Sequence, residues 1–145
     1  MNKINTLNSI IAITKYHENQ MQKLQDLVDA KSAEKPASIS KTQCEFGLWL
    51  YSRDNNLQNI LGHQFYEKID KLYTEWHEQY HKIYKVFYDE KKGFLSKLLT
   101  TDTPEMKLDK AKLYYAELKQ TSNKLLGILA SSTRRITAMN ESKFT

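Results

Sequence analysis

His77 and His81 stand four residues apart in a stretch without helix breakers. On a helix that spacing puts both imidazoles on one face, one turn apart, where they can share a metal ion. His17 sits among Ile10, Ile13, Met21, Leu24 and Val28, so a third imidazole lies inside an apolar stripe. Cys44 is the one cysteine of the chain. Each residue has an ordinary alternative. An imidazole pair also occurs on solvated faces, a histidine in a stripe is commonly a hydrogen-bonded core residue, and a lone cysteine packs as a small hydrophobe. Taken together they supply three nitrogens and one sulfur from three separate segments, a complete tetrahedral set for zinc.

Other chemistries find less to stand on. The chain lacks H-E-x-x-H, Walker and G-x-S-x-G patterns, which removes the commonest zinc-protease, nucleotide-phosphate and serine-hydrolase readings. Cys44 and His77 alone could form a nucleophilic pair, but no third residue is placed to orient them. A di-iron bundle needs Glu-x-x-His motifs on paired helices, and Trp76-His77-Glu78 does not provide one. The expectation is a protein without enzymatic activity.

The elements that must position these residues are helical. A length of 145 residues fits one domain, and 4 Gly with 2 Pro leave few residues for the tight turns of a sandwich or barrel. A single cysteine excludes an internal disulfide and favours a reducing compartment, so a cytoplasmic location is expected. No apolar stretch approaches the ~18 residues of a membrane span, and Asn5, Thr6 and Asn8 break up any signal segment. The net charge of +5 is spread among 22 basic and 17 acidic residues, unlike the one-sided basic face of a nucleic-acid module.

Four helical segments are expected. The first carries the His17 stripe and ends near Ala30, before a loop over Lys31–Ser40 containing Pro36. Thr42-Gln43-Cys44-Glu45 reads as a capping box opening a short helix that ends near Tyr51. The third, roughly His63 to Phe94, buries Phe65, Ile69, Leu72, Trp76, Ile83 and Phe87, with Tyr66, Tyr73, Tyr80, Tyr84 and Tyr88 flanking that stripe. The fourth opens with Thr103 as cap and Pro104 in the first turn. Its seam runs through Leu108, Ala111, Tyr115, Leu118, Ser122, Leu125 and Leu129 before fraying over about 134–145. The simplest assembly is an all-α, antiparallel four-helix bundle with a short second helix, occupying residues 1–145 as one domain.

The run Cys44-Glu45-Phe46-Gly47-Leu48-Trp49 resembles the C-x-F/L-G-x-W signature of the bacterial chemoreceptor zinc-binding domain. That family places one histidine in its first helix, the cysteine motif at the start of a short second helix, and an H-x-x-x-H pair in its third. His17, Cys44, His77 and His81 follow in the same order on corresponding segments, and the resemblance spans roughly residues 10 to 95. It implies one zinc ion held by those four residues. It also implies a domain that passes zinc occupancy, or oxidation of Cys44, to a signalling partner or output domain in chemotaxis or cyclic-di-GMP signalling. No coiled-coil signalling hairpin and no catalytic domain is visible in this chain, so the output belongs to a partner or to a longer protein.

Around such a site Gly47 would permit close helix approach, Trp49 would exclude water, and Asp70, Glu45 or Glu78 would orient a ligand imidazole. His63 has no assigned role beyond helix start or surface. Leu113, Leu126 and Ile128 are spare apolar residues on which a homodimer could form. The alternative is a metal-free helical interaction bundle in which all of these are ordinary packing.

Overall fold

The structure is a computed structural model that describes residues 1–31, 36, 40–88 and 103–144. The chain is all-α, and the described residues form no strand. In chain order the helices are α1 (Lys3–Val28), α2 (Glu45–Leu50), α3 (Leu57–Leu61), α4 (His63–Tyr88) and α5 (Pro104–Thr137), followed by a 3-10 turn over Glu141–Phe144. The far end of the expected third helix, 89–94, and most of the expected loop around Pro36 lie outside the described residues.

Cross-chain bonds fix the directions. Lys3 Nζ, at the start of α1, donates to the carbonyls of Thr137 and Met139 at the end of α5. Tyr115, near the start of α5, reaches the Met21 carbonyl late in α1. These two helices therefore run in opposite directions. The same holds for α4 and α5, because Arg135 lies over the Phe65 ring and Lys82 over the Tyr114 ring. Between them α2 descends from Cys44, beside Tyr73, toward Leu50, whose carbonyl accepts from Tyr66. Helices α1 and α4 thus run one way, α2 and α5 the other, with α5 packed against both long partners.

Local chemistry explains several boundaries. Asn2 caps α1 by accepting from the Asn5 amide, and Thr103 caps α5 by accepting from the Met106 amide with Pro104 just inside. The capping box expected at Thr42 does not form. Here α2 begins at Glu45 with Cys44 in the cap position and no side-chain cap bond, while Thr42 Oγ1 pairs with Ser40 Oγ. A sulfur held for another purpose leaves the cap unfilled. The one-turn α3 was not expected. Leu57, Ile60 and Leu61 bury the i, i+3, i+4 face of a helix too short to show a period. It joins α4 through Gly62, whose φ of +85° is a conformation that suits glycine.

Two differences from the expected burial bear on the site. Tyr73 and Tyr80 are each 1% exposed, so they are core residues rather than flanking ones. The C-terminal tail, expected to fray from about 134, is helical through Thr137, and Phe144 is buried in the core beyond it. Of the three apolar residues set aside for a dimer face, Leu113 is exposed and Ile128 packs against the core.

The core forms two apolar clusters. One gathers Ile10, Ile13, Cys44, Phe46, Leu50, Ile69, Tyr73, Leu125 and Leu129; the other gathers Leu24, Val28, Trp76, Tyr80, Ile83, Ala111, Tyr115 and Leu118. His17, His77, Thr121 and Ser122 are buried in the waist layer between these clusters, while Thr6, Gln20, Asn55 and Ser132 are buried elsewhere.

Candidate metal centre

The waist is built from four elements. The stripe of α1 turns His17 inward, where its Nε2 lies 2.8 Å from Ser122 Oγ on α5. Its ring meets Trp76 edge-on at 5.0 Å between centroids and Phe46 at 6.0 Å. Burial, and then the neighbouring charge of His77, lowers the His17 pKa to about 4, so the imidazole is neutral near pH 7. A neutral imidazole is the form that binds a metal.

Cys44 projects from the start of α2 toward α4. Its Sγ lies 3.5 Å from His77 Nε2 and hydrogen-bonds with the Tyr73 hydroxyl. Tyr73 also donates to the Lys41 carbonyl at 2.8 Å, and burial followed by the adjacent Cys44 pushes its pKa up, so it remains a phenol. Close approach here requires Gly47, because a Cβ at that position would overlap the Lys41 carbonyl and come within 3.1 Å of the Tyr73 oxygen. Phe46 stacks on Tyr73 at 4.5 Å with the planes 9° apart, fixing the phenol against α2. Trp49 is half-buried on the same helix, its indole donating to Ser9 Oγ at 3.1 Å and its ring edge-on to Phe46.

The fit to zinc can be judged from distances. Zinc–sulfur and zinc–nitrogen bonds of about 2.3 Å and about 2.0 Å at a tetrahedral angle place two such donors about 3.5 Å apart. The Cys44–His77 separation matches that edge. The full set is not gathered: among the described residues no group of three or more His, Cys, Asp or Glu side chains stands close enough to hold a metal. His17 is engaged by Ser122, and His81 lies one turn beyond His77, half-buried. The chemistry of the set suits zinc and two of its members are at ligand spacing; His17 stands on α1 and His81 one turn beyond His77 on α4.

The expected orienting carboxylates are elsewhere. Asp70 accepts a 2.6 Å bond from the Tyr51 hydroxyl, and Glu45 and Glu78 are exposed. His63 is a surface residue at the start of α4, bonded to Gln58 and paired with Glu67 at 2.9 Å. Two residues that touch the candidate ligands carried no functional signal in the sequence. Ser122 interrupts an otherwise apolar seam, and Tyr73 precedes His77 by one helical turn; those placements are the signals available for them.

Residues 17–84 match the family model of the chemoreceptor zinc-binding domain, which bears out the resemblance over that span. The matched segment begins at His17 and takes in Cys44, His77 and His81. No curated protein and no solved structure matches the chain.

Proposed function

We propose, from the match of residues 17–84 to the chemoreceptor zinc-binding domain, that this chain is a zinc-responsive sensory domain without catalytic activity. The observation that carries the reading is the buried Cys44 thiol 3.5 Å from His77 Nε2, at the edge length of a tetrahedral zinc site, inside the matched segment. His17, Cys44, His77 and His81 would hold the ion. Four protein donors leave no open position for water, so zinc supplies a clamp between helices rather than hydrolytic chemistry.

The protein's own residues then define the switch. His17 on α1, Cys44 on α2 and the α4 pair each report the position of a different helix. Loss of the ion releases all of its tethers, and oxidation of the Cys44 thiolate by a peroxide or hypochlorous acid, to a sulfenic or sulfinic acid, removes one; either lets α2 settle differently against α1 and α4. The change is read by a signalling partner or an attached output domain, in chemotaxis or cyclic-di-GMP signalling as in the family. No helix among the described residues is long and apolar enough to cross a membrane, and a lone thiol persists best in a reducing compartment such as the cytoplasm.

Three contacts favour a second reading, a metal-free interaction bundle. His17 bonds Ser122, Cys44 bonds Tyr73, and a 3.5 Å sulfur–nitrogen separation also suits a thiol–imidazole hydrogen bond. Metal analysis of protein purified without added metal separates the two. Near-equimolar zinc in the unsubstituted protein, lost in both Cys44→Ala and His77→Ala, is the expected result. Folded protein without zinc supports the interaction bundle.

A further inference from the structure

The Tyr73 hydroxyl sits between two acceptors. It donates to the Lys41 carbonyl at 2.8 Å, and its oxygen is also in hydrogen-bond contact with Cys44 Sγ. One proton cannot serve both fully. While Cys44 is a thiol, its S–H is itself a donor and the phenol proton is directed to Lys41. A thiolate has no proton and strong acceptor capacity, so the same phenol, without moving its ring, can turn its O–H onto the sulfur.

We propose that Tyr73 is a positioning residue for Cys44, donating a hydrogen bond to the sulfur when that sulfur is a metal-bound thiolate. The inference rests on the zinc reading above and concerns what restrains its sulfur. The surroundings fit the role. Tyr73 is 1% exposed, so water does not compete for its proton. Stacking on Phe46 holds the ring, and Gly47 leaves the room that brings Lys41, Cys44 and the hydroxyl together. Tyr73 and His77 are one turn apart on α4, so a single helix face carries both the nitrogen and the hydroxyl that meet the sulfur.

A hydrogen bond to a ligating sulfur draws electron density from it, as it does in iron–sulfur and other metal–thiolate sites. The sulfur then becomes a weaker donor to the metal and a weaker nucleophile. Tyr73 would thus set how readily the metal-bound Cys44 reacts with an electrophile.

The test compares the unsubstituted protein with Tyr73→Phe, which retains the ring and its stacking but loses the donor. Two readouts are used that packing alone would not move together. With cobalt(II) in place of zinc, the thiolate-to-cobalt charge-transfer band should shift to lower energy in Tyr73→Phe. With zinc bound, alkylation by iodoacetamide, in which the sulfur forms a carbon bond and iodide leaves, should accelerate several-fold. Should Tyr73→Phe fail to fold, 3-fluorotyrosine placed at position 73 keeps the hydroxyl and strengthens it as a donor. It should shift the band to higher energy and slow alkylation. An unchanged band and rate, in Tyr73→Phe or with 3-fluorotyrosine, overturns the inference while leaving the zinc site standing. Absence of any cobalt or zinc binding by the unsubstituted protein overturns the site and the inference together.

Discussion

Burial of an imidazole has a thermodynamic consequence at His17. Its folded pKa of about 4 lies below the 6.5 of an ordinary histidine, chiefly through burial and then through His77. Between those values the unfolded chain holds more protons than the folded one, so acid favours unfolding. The metal-free protein should lose on the order of 3 kcal/mol of stability from this group as pH falls from about 6.5 to about 4, with the contribution intact above that window. Urea unfolding across the range, compared with His17→Gln, measures it; parallel curves for the two proteins would show that His17 is not the source. This histidine was legible in the sequence because the stripe of α1 is long and regular. Its bond to Ser122 was not, since Ser122 is 105 residues away and only the antiparallel packing of α1 on α5 brings the two together. Asp70 shows the opposite limit. Its spacing of seven from His77 suggests a shared face, yet the Tyr51 hydroxyl, from another element, takes its carboxylate.

At the scale of elements, α2 is where sequence pattern and tertiary constraint diverge. The motif from Cys44 to Trp49 lies on the helix, and a capping rule applied to Thr42 places its start two residues early, because Cys44 occupies the cap position. What keeps α2 in place is contact: Phe46 on Tyr73, Trp49 on Ser9, and the Gly47 backbone against the Lys41 carbonyl. Alanine in place of glycine within a helix ordinarily stabilises by about 0.5–1 kcal/mol. At Gly47 the added methyl meets main chain that cannot turn aside, so Gly47→Ala should reverse the sign and destabilise by about 1–3 kcal/mol. It should also weaken metal binding, because the Lys41 segment it displaces leads directly into Cys44. Thermal unfolding and chelator competition check both effects, and a Gly47→Ala protein more stable than the original would show that this segment relaxes freely. Helix α3 escaped sequence reading for a different reason: five residues are too few to establish a period. The long helices did not share that difficulty.

Across the whole molecule, the core of the described residues falls into two apolar clusters with no side chain in common, separated by a layer that holds His17, His77, Thr121 and Ser122. Hydrophobic burial therefore dominates each cluster, Cys44 included, while the layer between them also depends on His17, His77 and Ser122. The overall architecture was readable because three helices are long and amphipathic, but this division was not, since it arises from the levels at which separate helices present their polar residues. On the proposed reading, zinc would be a ligand of the fold as a whole. The proposed donors come from α1, α2 and α4, so no unfolded chain offers them at the right spacing, and binding energy adds to folding stability. An ion present at 100 times its dissociation constant stabilises by about 2.7 kcal/mol. In a domain of this size that corresponds to a rise in Tm of roughly 5–15 °C. Zinc should raise the Tm of the unsubstituted protein by that amount, a chelator should reverse the rise, and Cys44→Ala should show little of it. Because protons compete for the imidazoles and the thiol, the zinc-dependent rise should shrink as pH falls below about 6. An equal rise in Cys44→Ala would place the metal away from the waist, at a surface pair such as His63 and Glu67.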